Sequence, residues 1–83
     1  MLANTIKQHS TNLFFQEGNS DKVYHAAVHK VPNGYNVFFS YGRRGGNMTE
    51  GYKSEVPYPR IEDAIKVYEK LIDSKVKKGY QHS

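Results

Sequence analysis

The 83-residue sequence contains no cysteine and no tryptophan. Without cysteine there can be neither disulfides nor thiolate metal ligands, which fits a reducing compartment. No apolar run approaches the roughly 20 residues that a membrane-spanning helix needs. The opening Met1-Leu2-Ala3-Asn4-Thr5-Ile6-Lys7 lacks the apolar core of a secretory signal. A soluble, cytoplasmic chain with no membrane partner is therefore expected. Catalytic patterns are also missing. Gly42, Gly45 and Gly46 follow a strand-like run but open no helix, so they are neither a Walker loop nor a dinucleotide fingerprint. His25 and His29, four apart on a strand, share a face at a separation of roughly 13 Å, too far to ligate one metal, and His9 and His82 near the termini add no site. Glu62, Asp63, Glu69 and Asp73 fall on a helix surface, where they read as solubilising charge rather than acid–base pairs. No catalytic residue, cofactor or metal is expected.

What is present is positive charge and tyrosine. Twelve Lys+Arg stand against eight Asp+Glu, for a formal charge of +4, and seven Tyr accompany four Phe. Nucleic acid or an acidic partner suits such a balance. Tyrosine this frequent suits the surfaces of a sheet, where a ring can be half-covered while its hydroxyl stays wet.

A single domain follows from the length. Residues 1–11 show no periodicity and are read as an N-terminal tail ahead of a domain over 12–83. Leu13 to Glu17 reads as a short strand, Gly18-Asn19-Ser20-Asp21 as a turn, and Lys22 to Val31 as a long strand. Asn33-Gly34 predicts a two-residue type I′ turn. With those two residues central, Val28 falls opposite Phe39 and Ala26 opposite Tyr41. Tyr24, Ala26, Val28, Val37, Phe39 and Tyr41 then form a core face, and His25, Ala27, His29, Phe38 and Ser40 form a wetter one. Thr49 to Val56 predicts a further strand, ended by Pro57-Tyr58-Pro59. Over 61–78, Ile61, Ala64, Ile65, Tyr68, Leu71, Ile72 and Val76 recur at helical spacing. Glu62 and Asp63 lie in the first turn of that helix, and Lys75, Lys77 and Lys78 in its last, matching its dipole. Gly79 is a stop signal, whereas Arg60 is a poor N-cap. The fold class is α+β: an antiparallel sheet of roughly three to five strands with one C-terminal helix packed on it.

Function concentrates in Tyr41-Gly42-Arg43-Arg44-Gly45-Gly46-Asn47, where a flat ring, flexible backbone and paired guanidinium groups end a strand. Each guanidinium is a planar fork of donors suited to phosphate or carboxylate. Successive strand residues point to opposite faces, so both arginines reach one ligand only if the glycines break the pleat. Lys75, Lys77 and Lys78, with Tyr80 beyond, form a second basic cluster, with Lys22 and Lys53 as further candidates. Rings such as Tyr24, Tyr35, Tyr52 and Phe38 suit base stacking or a protein contact equally well.

From about Leu13 to Tyr80 the chain resembles a WGR domain. The signature Trp-Gly-Arg, an apolar residue and Gly appears as Tyr41-Gly42-Arg43-Arg44-Gly45. Ser20-Asp21-Lys22-Val23-Tyr24 resembles the Ser-x-Lys-Phe-Trp opening of bacterial members, which occur alone or attached to other domains. Ala64, Leu71-Ile72, Lys75 and Lys78-Gly79-Tyr80 match the family's helix and its ending. The resemblance implies a mixed sheet with one helix and a non-catalytic module. In poly(ADP-ribose) polymerases the signature aromatic of this module stacks near a DNA 5′ end at a strand break, and its basic residues contact the backbone. Tyr41 is then the stacking ring and Arg43 a polar contact. Tyr in place of Trp shrinks the stacking surface, Arg44 adds charge where the family packs an apolar residue, and Gly46-Asn47-Met48-Thr49 lacks the frequent Gly-Gln pair. Two functions are open at this point. One is DNA binding, to duplex or ends, through Tyr41, Arg43, Arg44, Lys22, Lys53, Lys75 and Lys78. The other is docking of an acidic protein through the exposed sheet and the arginine turn.

Overall fold

A computed structural model describes residues 4–83. Five strands form one antiparallel sheet in the order β4-β3-β2-β1-β5: β1 (Asn4–Glu17), β2 (Ser20–Val31), β3 (Gly34–Arg43), β4 (Met48–Tyr52) and β5 (Gln81–His82). One helix, α1 (Ile61–Lys77), crosses one face. This is the expected α+β architecture. No helix is long and apolar enough to cross a membrane among the described residues.

β2 and β3 form the centre, and here the register differs from expectation. Val31 pairs with Gly34, so Pro32 and Asn33 occupy the turn, Val28 faces Val37, Ala26 faces Phe39, and Tyr24 faces Tyr41. Asn33 has φ 70°. Proline is pre-set for the first central position of a type II turn, and the second requires positive φ. The slip is two residues, an even number, so the two faces keep their expected membership. Leu13, Tyr24, Ala26, Val28 and Val37 are buried under Ala64, Tyr68 and Leu71 of α1. Val76 lies on the expected helical stripe yet is 41% exposed.

Three further differences have local causes. The stretch expected to be a tail is strand from Asn4 onward, paired with β2 from Asn4↔Lys30 to Glu17↔Ser20, and residues 1–3 lie outside the described residues. Its periodicity is hidden by a bulge: Thr5 pairs with His29 and Ser10 with Ala27, leaving residues 6–9 opposite Val28 alone. Ile6, inside that bulge, packs on the core. β4 ends at Tyr52 rather than Val56 because the buried Asn36 amide donates to the Ser54 carbonyl at 2.9 Å and accepts from its N–H at 3.4 Å, drawing the chain off the ladder. The Pro-Tyr-Pro segment still pairs. Tyr58 keeps its own N–H and C=O and exchanges hydrogen bonds of 2.7 and 2.8 Å with Tyr35.

No helix covers the second face. At its centre the His29 ring stacks on Phe38 at 4.8 Å, with its nitrogens against the Tyr52 hydroxyl at 2.9 Å and the Thr5 hydroxyl at 3.2 Å. Burial, and then the neighbouring His25, lower the His29 pKa from its ordinary value. The folded chain thus binds fewer protons at this site than the unfolded chain, and the resulting contribution to stability is present above the unfolded value of about 6.5 and lost as pH falls from there through the lowered folded value. Thermal unfolding followed by circular dichroism should therefore show a lower Tm at pH 5.5 than at pH 7.5. His29→Gln, which keeps a hydrogen-bonding side chain without the titration, should narrow that difference.

Candidate nucleic-acid interface

The β2–β3 register decides what meets at the uncovered end of the core face. Beyond Ala26↔Phe39 the ladder continues as Tyr24↔Tyr41 and then Lys22↔Arg43. Directly opposed residues share a face, so the surface passes from apolar to aromatic to cationic over three cross-strand pairs. The C-terminal end of α1 brings Lys75 above the Tyr24 ring, 4.8 Å from Nζ to the centroid. Helix termination supplies the next ring. The N–H of Gly79 donates to the Val76 carbonyl at 3.0 Å and that of Tyr80 to the Lys75 carbonyl at 3.1 Å. This is the paired pattern of a Schellman stop, and Gly79 accommodates its φ of 109°. The stop returns Tyr80 to the sheet, edge-on to Tyr24 at 6.0 Å.

These elements enclose a cleft of about 640 Å³, lined by Lys22, Arg43, Lys53 and Lys75 together with Tyr24, Phe39, Tyr41 and Tyr80. Tyr24 and Tyr41 stack at 5.6 Å with planes 8° apart, and Tyr41 stays 42% exposed. Burial first, and then Tyr41 and Tyr80 beside it, push the Tyr24 phenol above its ordinary pKa, so it stays protonated. Among the described residues no acidic side chain lines the cleft. None of its four cations belongs to an ion pair among the described residues. Arg43 has only a long contact, 3.4 Å, to the Asn19 carbonyl. Burial, and then the nearby Lys78 and Lys53, lower the Lys75 pKa from its ordinary value, as expected where cations gather without a counter-charge.

Of the seven residues singled out in the sequence, Lys22, Tyr41, Arg43, Lys53 and Lys75 converge here. Arg44 does not. The pleat turns it to the other face, where its Nε lies 3.0 Å from the Asp21 carboxylate and its N–H donates to the Asp21 carbonyl at 2.9 Å. Lys78 is the C-cap of α1 and lies outside the cleft lining, where its charge repels that of Lys75. Phe39 and Ser20 line the cleft although sequence reasoning did not select them for it, and Tyr80, noted there only as lying beyond the basic cluster, lines it too. The Lys-Gly-Tyr ending was the available signal for Tyr80. The arginine turn is held by Gly42, where an added Cβ would lie 2.5 Å from the Asn47 carbonyl. Among the described residues no His, Asp and Glu gather in a group that could hold a metal ion.

A one-helix sheet that gathers stacked rings and unpaired cations in an open cleft has the construction of a small binding module. The chain belongs to the WGR domain family, whose model matches residues 8–83. That family is one of binding domains, not catalytic ones. No curated protein and no solved structure matches the chain.

Gly42→Ala tests how the cleft is built. The clash with a backbone carbonyl should cost about 1–3 kcal/mol, read as a lowered denaturation midpoint with an unchanged denaturant slope.

Proposed function

We propose that this WGR domain binds DNA, duplex or ended, through the cleft between β2, β3 and the end of α1. The observation that carries this reading is the direct opposition of Lys22 and Arg43 across the ladder, with no carboxylate in the cleft to separate them. Like charges placed directly opposite destabilise a sheet, and the fold offers them only neutral partners, the Phe15 ring under Lys22 and the Asn19 carbonyl at 3.4 Å from Arg43, so an anion would relieve the arrangement. Phosphate is the anion a guanidinium fork and neighbouring ammonium groups suit best. Tyr41, packed against the Tyr24 and Phe39 rings and still 42% exposed, offers that exposed part to a base or sugar. Lys53 and Lys75 extend the positive lining away from the ring, following a backbone over a few nucleotides.

The alternative, an acidic protein held by the sheet and the arginine turn, loses its main attraction in the Arg44–Asp21 pair. That pair neutralises the arginine on the helix-free face.

Fluorescence anisotropy with a nicked duplex carrying a 5′-phosphate, titrated over several salt concentrations beside an intact duplex, tests the proposal. Four phosphate contacts give a slope of log K against log salt of about −3.6. Arg43→Ala should weaken binding and flatten that slope by about 0.9, whereas Arg44→Ala should leave the slope unchanged. Affinity that ignores salt, or an Arg43→Ala protein that binds as wild type, would overturn the proposal.

A further inference from the structure

Among the described residues every charged side chain that lines the cleft is a hydrogen-bond donor. Lys22, Arg43, Lys53 and Lys75 offer only N–H groups, and the Tyr24, Tyr41 and Tyr80 phenols beside them can donate as well. Burial keeps Tyr24 protonated, so its O–H is retained. The lining holds no carboxylate, the usual partner of Mg²⁺ beside a phosphate chain. The charge of a bound anion therefore falls to the four cations. The rings set a further condition. Tyr41 already has two near-parallel neighbours, Tyr24 at 5.6 Å and 8° and Phe39 at 6.1 Å and 24°. A base gains less from such a ring than from a free face, whereas a phosphoryl group needs only the donors.

The cations also differ in depth. Lys22, Arg43 and Lys53 are exposed, whereas Lys75 is partly buried, its Nζ 4.8 Å from the centroid of Tyr24, a ring only 6% exposed. A duplex carries its phosphates on a convex surface, one to each sugar, and meets the exposed cations first. Phosphoryl groups linked through shared oxygens form a narrower and more densely charged chain, which can pass the outer cations and reach Lys75. The cleft volume of about 640 Å³ falls within the roughly 300–1,000 Å³ typical of small-ligand sites. We propose that the cleft takes a short polyphosphate chain, free or carried on a nucleoside, in competition with DNA. The inference rests on the cleft being a phosphate site, as proposed above, and does not require that DNA be its ligand.

Isothermal titration calorimetry with inorganic triphosphate, beside sulfate at equal ionic strength, is the test. One triphosphate should bind per chain, and sulfate about tenfold more weakly or worse, since a single charge-assisted contact is worth about that factor. Lys75→Gln, which keeps most of the stem and removes the charge, should weaken triphosphate binding by about tenfold, and Arg44→Ala should not weaken it. If Lys75→Gln does not fold, Lys53→Gln, at an exposed position, serves in its place with the same expected loss. A nucleoside triphosphate run alongside separates the two sources. Equal affinity places recognition in the phosphates alone, and a gain of about tenfold assigns the chain to a nucleotide; either supports the proposal. Triphosphate should also release a fluorescent duplex from the protein at constant ionic strength. Triphosphate bound by a protein that ignores DNA would remove the DNA reading and leave this one standing. DNA bound without triphosphate would overturn this one alone. Sulfate bound as tightly as triphosphate, or triphosphate affinity unchanged in the folded variant, would overturn it too.

Discussion

The helix is shorter than the sheet it covers. At about 1.5 Å per residue α1 is about 26 Å long, while β2 at about 3.3 Å per residue is about 40 Å. A single helix therefore shields only part of the core face, and the remainder must be finished by something else. At the hairpin end this is the Tyr58 bridge to Tyr35. At the other end the face continues into Tyr24, Tyr41, Lys22 and Arg43. The cleft is thus a consequence of coverage, built from the same register positions that form the core a few residues away.

This economy gives the cleft residues two tasks. Tyr24 belongs to the buried cluster and also supports Tyr41 from behind, while Lys75 ends the helix and roofs the Tyr24 ring. Tyr80 is delivered by the helix stop. The site is accordingly rigid on one side, where rings pack on core, and adaptable on the other, where ammonium groups on long stems lie over rings but have no ion-pair partner among the described residues. The two faces of the sheet also part company in chemistry. Free cations collect on the helix side, while the arginine that strand alternation sends to the other side is met at once by Asp21.

The fold was readable because its signals are local and periodic. The helix over Ile61–Lys77 announces itself by apolar spacing and dipole-matched charge, and the central hairpin by a turn dipeptide between strand-like runs. Face membership survived a wrong turn assignment only because the slip was even: Pro32 claimed the first turn position and displaced Asn33 by one place on each arm. β1 was less legible, since the bulge over residues 6–9 breaks its alternation, and β5 is two residues long and exists only through pairing with Leu13 and Phe14. The early end of β4 depends on Asn36, whose reach to Ser54 spans eighteen positions and leaves no trace in either segment's pattern.

By itself the sequence determined the class of fold, the two faces of the central hairpin, the family signature and most of the cationic residues. Each of these depends on residue type and on spacing within one segment. Which cations act together was decided only in the tertiary structure. Lys22, Arg43, Lys53 and Lys75 come from four separate stretches of chain, and their convergence depends on where α1 ends over the sheet. Arg43 and Arg44 are adjacent in sequence and chemically identical, yet the pleat sends one to a cation-lined cleft and the other to a carboxylate. Alternation predicts that two such neighbours part, but only the packing of the whole chain determines what each of them meets.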